Sequence, residues 1–444
     1  MKVLVSDRLS EAGIQALSEH AEVDVKTGLS PEELADIIGG YDALVIRSAT
    51  KVTADIIERG ENLKVVGRAG IGLDNVDVEA ATRQGIMVVN APQSNILSAA
   101  EHTMALLLAQ ARNVPQAHSA LTSGVWNRDR WQGVELHGKI LGIVGLGRVG
   151  TLVAQRASAF GMRLIAYDPY LASGRAAQMG VEMLETVADV CARADFLTIH
   201  LPKSAETMGI VGEAELAAAK PGLRIVNTAR GGLVDEDALV AALNDGRVAG
   251  AAVDVFSTEP ITEHPLFGIE NVVVTPHLGA STAEAQDKAG IAIAEQVALA
   301  LRGEFVPYAV NLDAGSDIPE PVRPYMGLAE RLGRLAVALA GRGIEGLRFH
   351  FHGNIAEQDT RALTLSALKG AFSSVVHEPV TFVNAPLVAK ERGIAVSESK
   401  TSQSLDYVNL IEVHAECQGD PVSVAGVLVG KRDSERLVRV YGYE

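Results

Sequence analysis

Arg230 in NTARGG, Glu259 in STEP and His277 in TPHLGAST are three side chains with complementary chemistries. A guanidinium is a planar fork that grips a carboxylate through two parallel hydrogen bonds. An imidazole with one nitrogen bonded to a carboxylate is oriented, and its other nitrogen can take or return a proton. Together the trio could hold a 2-keto or 2-hydroxy acid and move its hydroxyl proton. Each residue alone has a plainer alternative: a surface ion pair for Arg230, a satisfied polar group for His277. Position favours the chemical reading. Arg230 follows the strand-like run RIVNTA and His277 the run VVVTP, so both fall at C-terminal strand edges, where ligands of open α/β sheets gather. Gly231 and Gly232 let a ligand crowd the guanidinium. That Glu259 meets His277 is an expectation, since about one βα element separates them.

Upstream, KILGIV leads into Gly145-Leu146-Gly147-Arg148-Val149-Gly150 and then the helical stretch TLVAQRASAFG. Gly145 allows a tight turn, Gly147 lets the backbone approach a pyrophosphate, and Gly150 permits close helix packing. By itself the pattern could be any glycine-rich turn. It gains weight from Asp168, which ends RLIAYD roughly 20 residues onward, where a carboxylate binds both ribose hydroxyls. An acid there repels a 2′-phosphate and favours NAD over NADP, with Arg175 the nearby counterweight. Hydride carrier and proton-moving trio together point to a nicotinamide-dependent oxidoreductase.

Arg47 in VIRSATKV, next to Ser48, and Arg68 in VVGRAGIGLDNVD, two residues before Gly70, each follow a predicted strand. They could bring positive charge to a distal anionic group of the substrate, or pair structurally with Asp or Glu. His102, His350 and His352 read as structural. No third ligand stands at metal spacing near the last two, so no metal site is expected.

The elements that must position these residues are βα repeats. Strands are predicted at Lys2–Ser6, Glu22–Val25, Ala43–Ile46, Lys64–Val66 and Ile86–Val89, with helices at Ser10–Ser18 and Pro31–Ile38. An Ala-rich helix, Ser98–Ala111, leads to a second series at Lys139–Val144, Arg163–Tyr167, Phe196–His200, Arg224–Asn227, Gly250–Val253 and Val272–Thr275. A second Ala-rich helix, Ser281–Ala300, suggests a return to the first domain, which would be split in sequence and leave a cleft suited to ligand closure. Three prolines within Asp313–Pro324 read as a linker. Beyond it lie a helix at Met326–Ala340 and strands at Gly346–His352, Val408–Ala415, Ser423–Val429 and Leu437–Tyr441. The expectation is α/β: two doubly wound parallel sheets, the second of Rossmann type, plus a C-terminal α+β domain. The boundaries expected are 1–97 with 284–312, then 98–283, then 313–444.

Bulk properties agree. At 444 residues the chain calls for about three folding units. A net charge of −16 argues against nucleic-acid binding and requires a local basic patch for any anionic substrate. Two cysteines, Cys191 and Cys417, imply no disulfide framework. No apolar run reaches the roughly 18 residues needed to span a bilayer, so no membrane partner is expected, and the expected location is cytoplasmic.

The segments IRSATKVTADII, VVGRAGIGLDNVD, GLGRVG, NTARGGLVDEDAL, AAVDVFSTEP and TPHLGASTAEAQ together resemble the phosphoglycerate dehydrogenases among the D-isomer-specific 2-hydroxyacid dehydrogenases, over residues 1–312. The resemblance implies NAD-linked oxidation of 3-phosphoglycerate to 3-phosphohydroxypyruvate, the first step of phosphorylated serine synthesis. It makes His277 the acid/base, Glu259 its orienting partner and Arg230 the carboxylate anchor. Arg47, Ser48, Arg68 and Gly70 would lie on the substrate's phosphate side. For NAD it marks Arg148, Val149, Asp168, Thr207, Thr228, Ala229, Arg230, Asp254, His277, Leu278, Gly279 and Ala280. Asp254 also suits the nicotinamide amide on physical grounds, as a carboxylate at a strand end. Residues 313–444, with NAPLVAKERGI and SLDYVNLIEV, resemble the intervening domain of the long form. The serine-sensing ACT domain that follows there, and serine inhibition through it, are expected to be absent. Lys431, Arg432, Arg436 and Arg439 form either an effector anion site or a solvated strand. A homotetramer is implied by resemblance; the sequence itself supports only self-association. Two alternatives stay open: a glyoxylate or hydroxypyruvate reductase of the same superfamily, and a non-catalytic NAD-sensing protein.

Overall fold

Short β-branched runs alternating with capped helices build the first sheet. The computed structural model describes residues 1–312, 318–341, 343–376, 380–403, 406–417, 421–430 and 433–443. Contacts divide the chain into two units, Met1–Ser94 with Asp287–Glu444, and Asn95–Gln286. In the first unit β1 (Lys2–Val5), β2 (Glu22–Val25), β3 (Ala43–Ile46), β4 (Val65–Arg68) and β5 (Met87–Asn90) form a parallel sheet in the order β2-β1-β3-β4-β5. β3 is buried at every position, as a central strand covered on both faces must be. Helices α1 (Glu11–Ser18) and α2 (Pro31–Ile37) start at Ser10 and Ser30, whose hydroxyls accept the Gly13 and Glu33 amides. Ser30 and Glu33 complete a capping box, a feature that stabilises a helix start by about 1 kcal/mol. Helices α3 (Ala54–Arg59) and α4 (Val78–Arg83) complete this layer.

The second unit opens with α5 (Ile96–Ala111) and α6 (Val114–Thr122). Then β6 (Ile140–Val144), α7 (Arg148–Ala159), β7 (Arg163–Tyr167), α8 (Ser173–Gln178), β8 (Val181–Met183), α9 (Val187–Arg193) and β9 (Phe196–Ile199) follow. The series ends with α10 (Glu213–Ala217), β10 (Leu223–Asn227), α11 (Glu236–Asn244), β11 (Val248–Val253) and β12 (Val272–Val274). All strands are parallel in the order β12-β11-β10-β9-β6-β7-β8, a doubly wound sheet whose direction of winding switches between β6 and β9. The sequence showed six of these seven strands. β8 escapes a pattern search because it is three residues long and buries only Val181.

Helix α12 (Ala283–Leu301) runs into the first unit, where Ile293, Ala294 and Val297 are buried in one core with Val3, Val45 and Val89. Farther along lie α13 (Met326–Ala340), β13 (Ile344–Gly353), α14 (Arg361–Phe372), α15 (Ala385–Glu391), β14 (Ala395–Thr401), β15 (Asn409–Cys417), β16 (Val422–Val429) and β17 (Ser434–Val440). These strands form a mixed sheet, β14-β13-β15-β16-β17, parallel only between β13 and β14. β14 was not read from the sequence because AVSESKT is exposed at every position, so no hydrophobic alternation betrays it. α14 escapes a pattern search for the opposite reason: it buries nine of its residues and leaves only Arg361, Thr364 and Lys369 to mark its polar edge. Residues 313–317 of the proline-rich stretch, and Lys431 and Arg432 of the basic cluster, lie outside the described residues. Among the described residues no helix is long and apolar enough to cross a membrane, and no group of His, Cys, Asp and Glu is placed to hold a metal ion.

Candidate active site

Three adjacent strands of the second sheet, β10, β11 and β12, end at Asn227, Val253 and Val274, and their following loops carry Arg230, Glu259 and His277. The loops interlock. A methyl group at Gly231 would lie 1.9 Å from the Phe256 carbonyl, so only glycine lets the Arg230 loop lie against the Glu259 loop. The Phe256 amide donates to Glu259 Oε1 at 2.8 Å, and Glu259 Oε2 meets His277 Nδ1 at 2.6 Å. Burial opposes ionisation of Glu259, yet the bonds from His277 and the Phe256 amide hold its carboxyl below the ordinary range. It is therefore an anion at neutral pH. With Nδ1 engaged, Nε2 is the imidazole nitrogen left for a reacting proton. The Arg230 loop is braced from within by Asn227 Nδ2, which donates to the Arg230 carbonyl at 3.0 Å.

Asp254 holds the His277 loop. Its side chain is fully buried. Oδ1 accepts from Thr275 Oγ1 at 2.5 Å and the Leu278 amide at 2.8 Å, and Oδ2 accepts from the Gly279 amide at 2.9 Å. His102 Nε2 stands 3.1 Å from the same Oδ1. A methyl at Gly279 would come within 3.4 Å of Asp254 Oδ2 and 3.8 Å of the Thr228 carbonyl, which closes the circle back to the Arg230 loop. Burial disfavours the Asp254 anion, but the donors from His102, Thr275 and Leu278 outweigh it and keep the carboxyl below its ordinary value.

The glycine fingerprint follows β6 at the switch point. Gly145 has φ 95°, and a methyl there would come within 2.7 Å of the His200 carbonyl. A methyl at Gly150 would meet the Gly145 carbonyl at 2.2 Å, so this glycine packs α7 onto the turn. Gly147 differs. Nothing lies within 4 Å of its added methyl, and it is the N-cap of α7 without a side-chain cap. An open backbone at an uncapped helix start suits a pyrophosphate. Beside it a cavity of 630 Å3 is lined by Gly147, Arg148, Asp168, Tyr170, Arg175 and apolar neighbours. Asp168 is fixed by the Leu146 amide at 2.9 Å and the Tyr170 amide at 3.0 Å. Polar rim, apolar wall and open glycine fit a dinucleotide. Val149, partly buried, packs against the core below. Thr207, after β9, is tied to its own loop through the Pro202 carbonyl at 2.7 Å.

In the first unit Arg47 follows β3 and Arg68 ends β4, two residues beyond where the sequence predicts that strand to stop. Ile46 pairs with Arg68 in the register, so the two arginines occupy neighbouring strand ends. The Arg47 loop sits where strand order reverses between β1 and β3. Asp7, just past β1, accepts the amides of Arg47 at 2.6 Å, Ala49 at 3.2 Å and Thr50 at 3.1 Å, and Asn75 donates to the Arg47 carbonyl at 2.7 Å. Ser48 is exposed. The Arg68 guanidinium folds over Gly70, where a methyl would lie 2.0 Å from Nη1.

Sequence reading missed Asp7, Asn75, His102, Thr103 and Thr275. Thr103 had a signal: a hydroxyl inside the apolar run TMALLLAQA must find a buried partner.

Two family models match the chain: the NAD-binding domain of D-isomer specific 2-hydroxyacid dehydrogenases over residues 104–279, and the D-3-phosphoglycerate dehydrogenase intervening domain over residues 321–441. The chain is 49% identical over 441 residues to a D-3-phosphoglycerate dehydrogenase of Mycobacterium leprae, covering 99% of this chain and 83% of that one. It is 46% identical to one from Methanocaldococcus jannaschii, covering 100% and 84%. A crystal structure of a Thermus thermophilus protein, 34% identical, superposes with a TM-score of 0.65 over 70% of this chain and 100% of that one.

Proposed function

The chain belongs to the D-3-phosphoglycerate dehydrogenases, a branch of the D-isomer-specific 2-hydroxyacid dehydrogenases, and on that premise we propose that it oxidises 3-phospho-D-glycerate to 3-phosphohydroxypyruvate. It is an NAD-dependent oxidoreductase. The observation that carries the reading is the 2.6 Å Glu259–His277 bond on the sheet edge that also presents Arg230. Bound NAD supplies the hydride acceptor. Arg230 grips the substrate carboxylate. His277 Nε2 takes the proton of the C2 hydroxyl as the C2 hydride departs, so hydroxyl becomes ketone with atoms and charge in balance. Glu259, anionic and buried on one side, orients the ring and faces the positive charge it gains.

Arg47 and Arg68, with Ser48 and Gly70, take the substrate's phosphate. Gly145, Gly147, Arg148, Val149 and Gly150 hold the pyrophosphate, Asp168 the adenosine ribose, and Thr207, Thr228, Ala229, Asp254 and Leu278 to Ala280 the nicotinamide side. Asp254 would serve twice, since its buried carboxylate already fixes the His277 loop. Residues 1–97 with 284–312 form the substrate domain, 98–283 the NAD domain and 313–444 a regulatory domain, a division supported by three separate sheets.

The enzyme works as a homo-oligomer, by resemblance a tetramer. In support, α6 buries none of its residues, while Val114, Leu121, Val125 and Trp126 are 54%, 54%, 53% and 77% exposed. A cytoplasmic location follows from the metabolic role, and the buried Cys191 thiol fits a reducing compartment.

The test is steady-state turnover with 3-phosphoglycerate and with D-glycerate. The reading expects kcat/KM to favour the phosphorylated acid by about 100-fold or more, as two phosphate-binding arginines would give. Equal use of glycerate points to a hydroxypyruvate reductase, and NAD binding without turnover to a sensor.

A further inference from the structure

Helix α5 touches both catalytic loops through consecutive side chains. His102 Nε2 lies 3.1 Å from Asp254 Oδ1 and 3.2 Å from Thr275 Oγ1. Thr103 Oγ1 lies 2.6 Å from Thr228 Oγ1, two residues before Arg230, and both threonines are buried. One turn earlier, Ser98 Oγ meets Thr282 Oγ1 at 2.8 Å, just beyond the far end of the His277 loop.

Proton bookkeeping fixes the direction of these bonds. Thr275 gives its hydroxyl proton to Asp254 at 2.5 Å, and Asp254 is an anion, so neither can donate to His102. His102 Nε2 therefore carries the proton and donates. Thr103 gives its own proton to the Ala99 carbonyl at 2.8 Å, so Thr228 donates to Thr103. His102 supplies one of the donors on the buried carboxylate that positions Leu278 and Gly279, and Thr103 anchors the start of the Arg230 loop.

We infer that His102 and Thr103 are paired positioning residues, through which α5 sets the His277 loop and the Arg230 loop in register with each other. This rests on the catalytic roles proposed for His277 and Arg230. Neither residue touches substrate; each acts through the loop it ties. The two should fail differently. Loss of the His102 donor loosens the proton acceptor and acts on kcat. Loss of the Thr103 hydroxyl loosens the carboxylate anchor and acts on KM for the hydroxy acid.

The experiment combines kinetics with amide hydrogen exchange on the full chain. His102→Ala is expected to lower kcat about 10-fold, the scale of a lost charge-assisted bond to a positioning group, with KM for the acid little changed. His102→Gln, whose amide nitrogen falls where Nε2 was, should restore kcat to within about 3-fold of wild type. Thr103→Val should raise KM for the acid about 10-fold, and Thr103→Ser should restore it. In His102→Ala, exchange should accelerate in the peptide spanning 275–280 and stay slow in β10 and β6. Equal loss in the Ala and Gln variants, identical kcat and KM effects for the two positions, or faster exchange throughout the second sheet would each overturn the inference. Exchange is read without substrate. If wild type fails to oxidise phosphoglycerate, the functional reading falls while the 275–280 peptide still decides this one.

Discussion

His277 has φ 54°, in the left-handed region that costs a residue with a side chain about 1–2 kcal/mol. Something outside must hold it there. The His277 amide donates to the Asp254 carbonyl at 2.8 Å, and the Asp254 carboxylate takes the next two amides. This one residue clamps the turn that carries the imidazole. Its carboxyl is held below the ordinary 3.8: burial pushes up, while His102, Thr275 and the Leu278 amide pull down harder. A depressed folded-state value means the stabilisation is complete above the unfolded value and is lost as pH falls through the folded one. Asp254→Asn should therefore destabilise the protein at neutral pH by about 1–3 kcal/mol. The gap to wild type should narrow below about pH 4. Urea unfolding at pH 7 and at low pH measures it, and a gap of the same size in both contradicts the account. Glu259 follows the same sign, so Glu259→Gln should lower kcat at neutral pH rather than only in acid.

Among the elements, the turn into α7 separates two uses of glycine. Gly147→Val meets open space and should fold normally while weakening NAD binding about 100-fold, by filling the pyrophosphate seat. Gly150→Ala drives a methyl to 2.2 Å from the Gly145 carbonyl and should cost about 1–3 kcal/mol of stability instead. Calorimetric NAD titration beside thermal unfolding tells the two apart; matching profiles for both variants contradict the assignment. The sequence made these positions legible because glycine spacing after a β-branched strand has few structural solutions. The same holds for β10, β11 and β12, whose short apolar runs place Arg230 and His277 at strand ends. What was hidden obeyed no periodicity. β14 is exposed along its whole length, α14 buries nine of its twelve residues, and His102 reads as structural because its partner Asp254 is 152 positions away in the chain numbering. Asp7 gave no signal either, because its role is to collect amides from a loop that follows a different strand.

On the scale of the whole molecule, a chain of net charge −16 must gather an anionic substrate against its own field. Arg47 and Arg68 in the first unit and Arg230 in the second are the cations proposed for that task. Arg47→Ala should raise KM for 3-phosphoglycerate about 10-fold with kcat largely kept. It should leave turnover of unphosphorylated glycerate unchanged; a parallel loss on both acids contradicts a phosphate role. The exposed apolar face of α6 and the segment after it predicts association through Trp126. Trp126→Glu should lower the mass seen by sedimentation, and an unchanged oligomer contradicts that surface.

The proton path through His277 is the claim on which the rest stands. NADH formation from 3-phosphoglycerate by wild type and His277→Ala, at saturating NAD, tests it directly. The account predicts that kcat falls by about 10²- to 10⁴-fold, the usual contribution of a positioned general base, with substrate binding far less affected. Turnover by His277→Ala at the wild-type rate would contradict it.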